Sequence, residues 1–231
     1  GHPKHHSNED DGQIGCVLNS LYNRDPMSHG HINFTRCGLP IDVQKRIGEK
    51  FWGSPDTVDA IGDYTPTNIY KMKRLQWVVA RKELHDMLGI CSWTAPWEVS
   101  PLREKGYIGD IEMESKVFRA VTGIEMTQDD LDKAGLRAFI LQRLYTMRQL
   151  KSRNPRQDHD QYPEWIFWDP KGKAPFTKGT IRMERSDIEK SFDLFYGLMD
   201  FDVKTGAPTE KSLKEYGLDF ALPTMKQEGL M

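Results

Sequence analysis

Two short stretches of this chain gather residue types that can do chemistry. The first is Tyr22-Asn23-Arg24-Asp25-Pro26-Met27-Ser28-His29-Gly30-His31-Ile32-Asn33-Phe34. It sets two imidazoles, a guanidinium, a carboxylate and two amides around a proline and a glycine. Imidazoles in such a loop act as acid, base or hydrogen-bond donor near neutral pH. His29 and His31 are two residues apart, so in an extended chain they point the same way. A zinc pair is conceivable, yet neither a helical H-E-x-x-H nor a C-x-x-C accompanies it. On spacing alone a structural polar loop is the plainer reading.

The second stretch is Asp86-Met87-Leu88-Gly89-Ile90-Cys91. It closes the longest helical pattern in the chain. Gly89 is a natural C-terminal stop, Asp86 lies one turn back, and Cys91 emerges just past the turn. One cysteine cannot hold an iron–sulfur cluster, which needs about four ligands. On spacing alone a buried thiol is the commoner case.

The elements that must position these stretches read as mostly α. Pro40 stands where a first helical residue would, ahead of Ile41 to Ile47. Asp56 to Ile61 reads as a short helix. From Pro66 to about Leu88, spacings of three and four among Ile69, Met72, Leu75, Trp77, Val78, Val79, Leu84 and Leu88 lay a broad apolar stripe. Residues 92 to 110 read as an ordered loop. Asp110 is the expected cap of a helix that stops at Gly123. Thr127 is the expected cap of the next, with Leu131, Ala134, Ala138, Leu141, Leu144 and Tyr145 as its apolar side. Residues 152 to 180 are rich in Pro, Gly and aromatics, the pattern of a long loop packed on a body. Ser186-Asp187-Ile188-Glu189 is a capping-box pattern opening a helix to about Met199. Thr209 caps what reads as the last helix, ending at Gly217. No internal repeat appears, and no period-two series is long enough to build a sheet.

Composition narrows the function classes. The chain has 231 residues, with Lys+Arg 32 against Asp+Glu 34 and 38% hydrophobic residues, which is enough to bury a core. A net charge of -2 gives no basic field, so nucleic acid is not an expected partner. No apolar run approaches the roughly 20 residues of a membrane helix. The cysteines are three, Cys16, Cys37 and Cys91, an odd number that argues against a secreted disulfide scaffold. No cationic-then-apolar leader opens the sequence, and a cytoplasmic location is expected. Residues 1–11, with His2, His5 and His6, read as a flexible N-terminal segment, and residues 12–231 as one helical domain.

Both chemistry-bearing stretches resemble motifs of one family in family order. Asp86 to Cys91 resembles the D-x-x-G-[LI]-C motif of the tungsten-dependent aldehyde ferredoxin oxidoreductases. Asn23-Arg24-Asp25-Pro26-Met27-Ser28-His29 resembles that family's N-R-G-A-C-H loop, one residue longer and with Ser28 in place of Cys. Ala120 to Thr127 is similar to its A-x-T-G-x-x-x-T helix start. Gln142-Arg143-Leu144-Tyr145-Thr146-Met147-Arg148 is similar to its E-R-x-x-N-x-R helix. Asp193-Leu194-Phe195-Tyr196, Phe201-Asp202, Gly206-Ala207-Pro208-Thr209 and Tyr216-Gly217-Leu218 resemble its C-terminal ending. The paired His29-Gly30-His31-Ile32-Asn33-Phe34 looks closer to the active-site subunits of class II benzoyl-coenzyme A reductases, a branch of the same family.

The resemblance implies the helical C-terminal domain of a larger oxidoreductase unit. In the family, two pterins hold tungsten or molybdenum, and a [4Fe-4S] cluster carries electrons away. It implies that Cys91 is a cluster ligand and that Asp86, with Gly89 and Ile90 in its turn, binds a pterin. His29 and His31 would transfer a proton or hydrogen-bond substrate, Arg24 would face an anionic group or pair with a carboxylate, and Ser28 would stand on the cofactor side. The three other cluster cysteines are absent from this chain. The implied partners are therefore the rest of the catalytic unit, a ferredoxin or iron–sulfur electron-transfer subunit, and a small-molecule substrate, an aldehyde or an aromatic acyl-coenzyme A. Two alternatives stand beside this reading: a degenerate paralogue that binds cofactor or partner without turnover, and a helical interaction domain.

Overall fold

The computed structural model describes residues 12–22, 39–58, 66–91, 97–162, 167 and 184–231. In chain order their helices are α1 (Gly12–Leu21), α2 (Ile41–Trp52), α3 (Ile69–Leu88), α4 (Met113–Thr122), α5 (Gln128–Leu150), α6 (Pro155–Asp158), α7 (Arg185–Leu198), α8 (Glu210–Glu215) and α9 (Leu222–Gln227). Short 3-10 turns cover Pro55–Thr57, Arg103–Lys105 and Asp219–Ala221. Among the described residues no strand forms, only the isolated antiparallel bridges Val99–Ile108 and Phe201–Pro208.

Local chemistry accounts for several helix ends. Asn68 Oδ1 accepts hydrogen bonds from the N–H groups of Tyr70 and Lys71 and starts α3. Thr127 and Asp130 bond reciprocally in a capping box that starts α5. Gly53, Gly89 and Gly123 end α2, α3 and α4 in the left-handed conformation. Other expectations need correction. Of the expected helix from Asp56 to Ile61, the described part is the 3-10 turn Pro55–Thr57, capped by Ser54 and followed by extended Val58, while residues 59–61 lie outside the described residues. Glu112, not Asp110, occupies the cap of α4, while Asp110 accepts from the Glu112 N–H. Helix α7 starts earlier than the Ser186 pattern implies, with no side-chain cap. The helix after Thr209 is not the last, since α9 follows.

The core is built around α3, which packs along α5 and α7, with α1 laid against α7 and α3. At the α3–α5 crossing the backbones touch. A Cβ on Gly135 would stand 2.1 Å from the Ala80 carbonyl oxygen, so only glycine fits there. This crossing turns the buried side of α5 to Leu131, Leu136, Phe139, Ile140, Leu144 and Met147. Leu141 and Tyr145, expected inside, are exposed. The aromatics Tyr162 and Phe167 do pack on the core, as expected of their loop.

A polar knot ties the chain's two halves. Gln13 Nε2 donates to Asp187 Oδ2 (2.6 Å), and Asp187 also accepts from the Thr67 N–H (2.9 Å). Lys71 Nζ donates to Gln13 Oε1 (2.8 Å). A second cluster of Val43, Ile47, Trp52 and Val58 takes in Val99, Tyr107 and Ile108 and meets the main core at Trp77.

Candidate functional site

The end of α3 is a display device. Eleven of its twelve buried positions lie between Lys71 and Leu84, and His85 is the last of them. Past His85 the helix emerges: Asp86, Met87, Gly89 and Cys91 are exposed. Gly89 turns at φ 68°, and its N–H and that of Ile90 (2.9 Å) both reach the His85 carbonyl oxygen. Those two bonds fix the direction in which Cys91 leaves. Asp86 Oδ1 takes a close ion pair from Lys82, one turn back on the helix. The expected site residues Asp86, Gly89, Ile90 and Cys91 thus share one turn, and the thiol of Cys91 is exposed rather than buried. Cys16 is in the main core instead. The other expected site residues, Arg24, Ser28, His29 and His31, lie outside the described residues, as do residues 1–11 and Cys37.

Behind this turn runs a buried charged network that sequence reasoning missed. The Arg81 guanidinium is 1% exposed. It donates to Glu114 Oε2 (2.6 Å), Asp132 Oδ1 (2.6 Å) and the Ile111 carbonyl oxygen (2.7 Å). The other Glu114 oxygen meets His85 Nε2 at 2.9 Å. Three helices are joined in this way: α3 through Arg81 and His85, α4 through Glu114, α5 through Asp132. Burial pushes the Asp132 carboxyl up from its usual value, against the charge and hydrogen bonds of Arg81. The signal legible in hindsight is a set of charges flush with an apolar stripe, Arg74, Arg81 and His85 alternating with Leu75, Val78 and Leu84.

Glu98 is the exception within this network. It is fully buried, and neither of its carboxylate oxygens has a hydrogen-bond partner among the described residues. Burial pushes its carboxyl up to about 7. Its own peptide N–H and the charges of Arg74 and Arg81 pull it back, and Glu114 adds to the burial. The loop that carries it is pinned. Gly109 N–H donates to the Glu98 carbonyl (3.0 Å), and Asp110 N–H to that of Trp97 (2.7 Å). A Cβ on Gly109 would stand 2.0 Å from the Trp97 carbonyl oxygen.

Among the described residues no group of three or more His, Cys, Asp and Glu side chains could hold a metal ion. No described helix is long and apolar enough to cross a membrane. Residues 29–218 match the family model described as aldehyde ferredoxin oxidoreductase, domains 2 & 3.

Proposed function

The chain belongs to the aldehyde ferredoxin oxidoreductase family, whose members are tungsten or molybdopterin oxidoreductases, and on that premise we propose that it forms the C-terminal part of such an enzyme, with Cys91 as one ligand of a [4Fe-4S] cluster. The observation that carries this is the end of α3, which places the Asp86 carboxylate and the exposed Cys91 thiol on either side of the Gly89 turn. The donor set fits a shared centre. Among the described residues one exposed thiol stands at this turn, and it would serve as one ligand of a cluster completed by cysteines on another segment or chain.

In this reading Cys91 binds iron as the thiolate, and Asp86 accepts hydrogen bonds from pterin amino groups, with Gly89 and Ile90 setting the turn between them. When bound, the metal-pterin pair supplies two-electron chemistry at substrate carbon, and the cluster supplies one-electron exit. The domain's own work is to hold these groups in register: the buried length of α3 fixes the turn, and Lys82 holds Asp86 in place. His29 and His31 move a proton to or from substrate or hydrogen-bond it, Arg24 faces an anionic substrate group, and Ser28 lines the cofactor side. The paired histidines favour an aromatic acyl-coenzyme A over a simple aldehyde as substrate. The partners are the remainder of the catalytic unit, with three further cluster cysteines, and a ferredoxin-like electron carrier in the cytoplasm.

The test is elemental. The assembled protein, isolated anaerobically with its companion chains, should hold about four iron per cluster together with tungsten or molybdenum. Cys91→Ala should lower the iron content while leaving the helical signal intact. Unchanged iron in that variant would sink the ligand assignment.

A further inference from the structure

A fold that buries a carboxyl group normally pairs it, because an unpaired buried charge is expensive. Here two guanidinium cations, Arg74 and Arg81 from α3, act on Glu98 together with the carboxylate of Glu114 from α4. Arg81 is already engaged by two carboxylates, Glu114 and Asp132 from α5. Glu98 is a further carboxyl beside this network, and neither of its oxygens has a hydrogen-bond partner among the described residues.

The guanidinium positions leave little room for rearrangement. Arg74 stacks on Trp52 at 5.3 Å and Arg81 on Trp77 at 5.0 Å, and the two indoles meet edge to face at 5.4 Å. The backbone of Glu98 is held in place by the Gly109 N–H. The same network ends at the turn of Cys91. Arg81 holds Glu114, Glu114 holds His85, and the His85 carbonyl oxygen accepts from Gly89 and Ile90. A change of charge at Glu98 is therefore felt along a buried, weakly screened path that leads to that turn.

We propose that Glu98 is an internal proton site that compensates electron arrival: it takes up one proton from solvent when one electron reaches the iron–sulfur side of the Cys91 turn, and releases it when the electron leaves. This rests on the cluster assignment above. The balance is one electron from a one-electron reductant and one proton from water, with Glu98 passing from carboxylate to carboxylic acid. The net charge of the interior is then the same before and after. Glu98 acts as a positioning group for the electron's energy, with no contact to substrate.

The experiment is a redox titration of the assembled holoenzyme, following the reduced-cluster electron paramagnetic resonance signal between about pH 6 and pH 8. In the wild type the midpoint potential should be nearly flat below about pH 7, where Glu98 is already protonated, and fall with rising pH above it, approaching about 59 mV per tenfold change in proton concentration. In Glu98→Gln, which is neutral at every pH, the slope should vanish while the cluster signal persists. A wild-type potential independent of pH, or a slope retained in Glu98→Gln, overturns the proposal and leaves the cluster assignment standing. Absence of any cluster signal in the wild type overturns both. If Glu98→Gln does not accumulate, the reduced-minus-oxidised infrared difference spectrum of the wild type must gain a protonated-carboxyl band, and its absence overturns the proposal equally.

Discussion

Replacing Arg143 by methionine should be among the most damaging single changes in this domain that leave its apolar core untouched. The side chain leaves the buried side of α5 and is 2% exposed. Its Nε donates to the Gly206 carbonyl oxygen (2.7 Å), and its other nitrogens clasp both oxygens of Asp160, which is fully buried. Tyr196 also donates to Asp160, and His159 Nδ1 lies 2.8 Å from it. Methionine keeps the stem and removes the charge, which leaves the Asp160 carboxylate in the interior without its cation. Breaking one side of such a pair costs about 3–5 kcal/mol. Burial pushes the Asp160 carboxyl up, and the Arg143 charge, with hydrogen bonds from His159, Arg143 and Tyr196, overcomes this and holds it below its usual value. Its contribution to stability is therefore complete above the unfolded carboxylate range and is lost as pH falls through the lower folded value. Urea denaturation followed by far-ultraviolet circular dichroism measures the difference. The double variant Arg143→Met, Asp160→Leu should lose clearly less than the two single losses added together. A single-variant loss below about 1 kcal/mol, typical of a surface pair, would refute the reasoning.

Two further changes probe the frame and the proton site. Gly135→Ala should force α3 and α5 apart, because its Cβ would stand 2.1 Å from the Ala80 carbonyl oxygen. A loss of roughly 1–3 kcal/mol is expected in the same urea assay, and an unchanged midpoint would contradict the crossing. Glu98 titrates at about 7 in the fold against 4.5 in an open chain, a difference of roughly 3 kcal/mol. The stability it lends is full below about 4.5 and lost as pH rises through about 7. Glu98→Gln should therefore match the wild type at low pH and exceed it above neutrality, as paired denaturation curves would reveal.

What could be read from the chain alone was what local chemistry decides. The Thr127 capping box, the glycine stop at Gly89 and the stripe of α3 are properties of neighbouring residues, and all three stand in the structure. The turn that gathers Asp86 and Cys91 was legible for the same reason. Helix α1 was not foreseen because its side chains from Gln13 to Leu21 are buried all round, which erases the 3.6-residue alternation. The Ser186 capping pattern misled because Ser186 already lies inside α7 and Glu189, its reciprocal partner, spends its oxygens on Tyr162 and Arg156. On α5 the buried side is rotated because Gly135 and Arg143, neither of them apolar in type, occupy positions that only tertiary partners explain. Glu98 was illegible altogether, since nothing in its neighbours along the chain says that two guanidinium groups from a distant helix converge on it.

The knot at Asp187 also sets a timetable for biogenesis. Gln13 and Asp187 are 174 residues apart, and among the described elements α1 packs mainly on α7 and α3. At about 5–20 residues per second, a ribosome needs roughly 9 to 35 s to make the intervening chain. Throughout that interval the side of α1 that packs on α7 has no cover, although α3 is made early enough to cover the other side. Although most helical domains assemble from near neighbours and fold fast, this one closes late, and α1 is a ready target for chaperones that hold nascent chains.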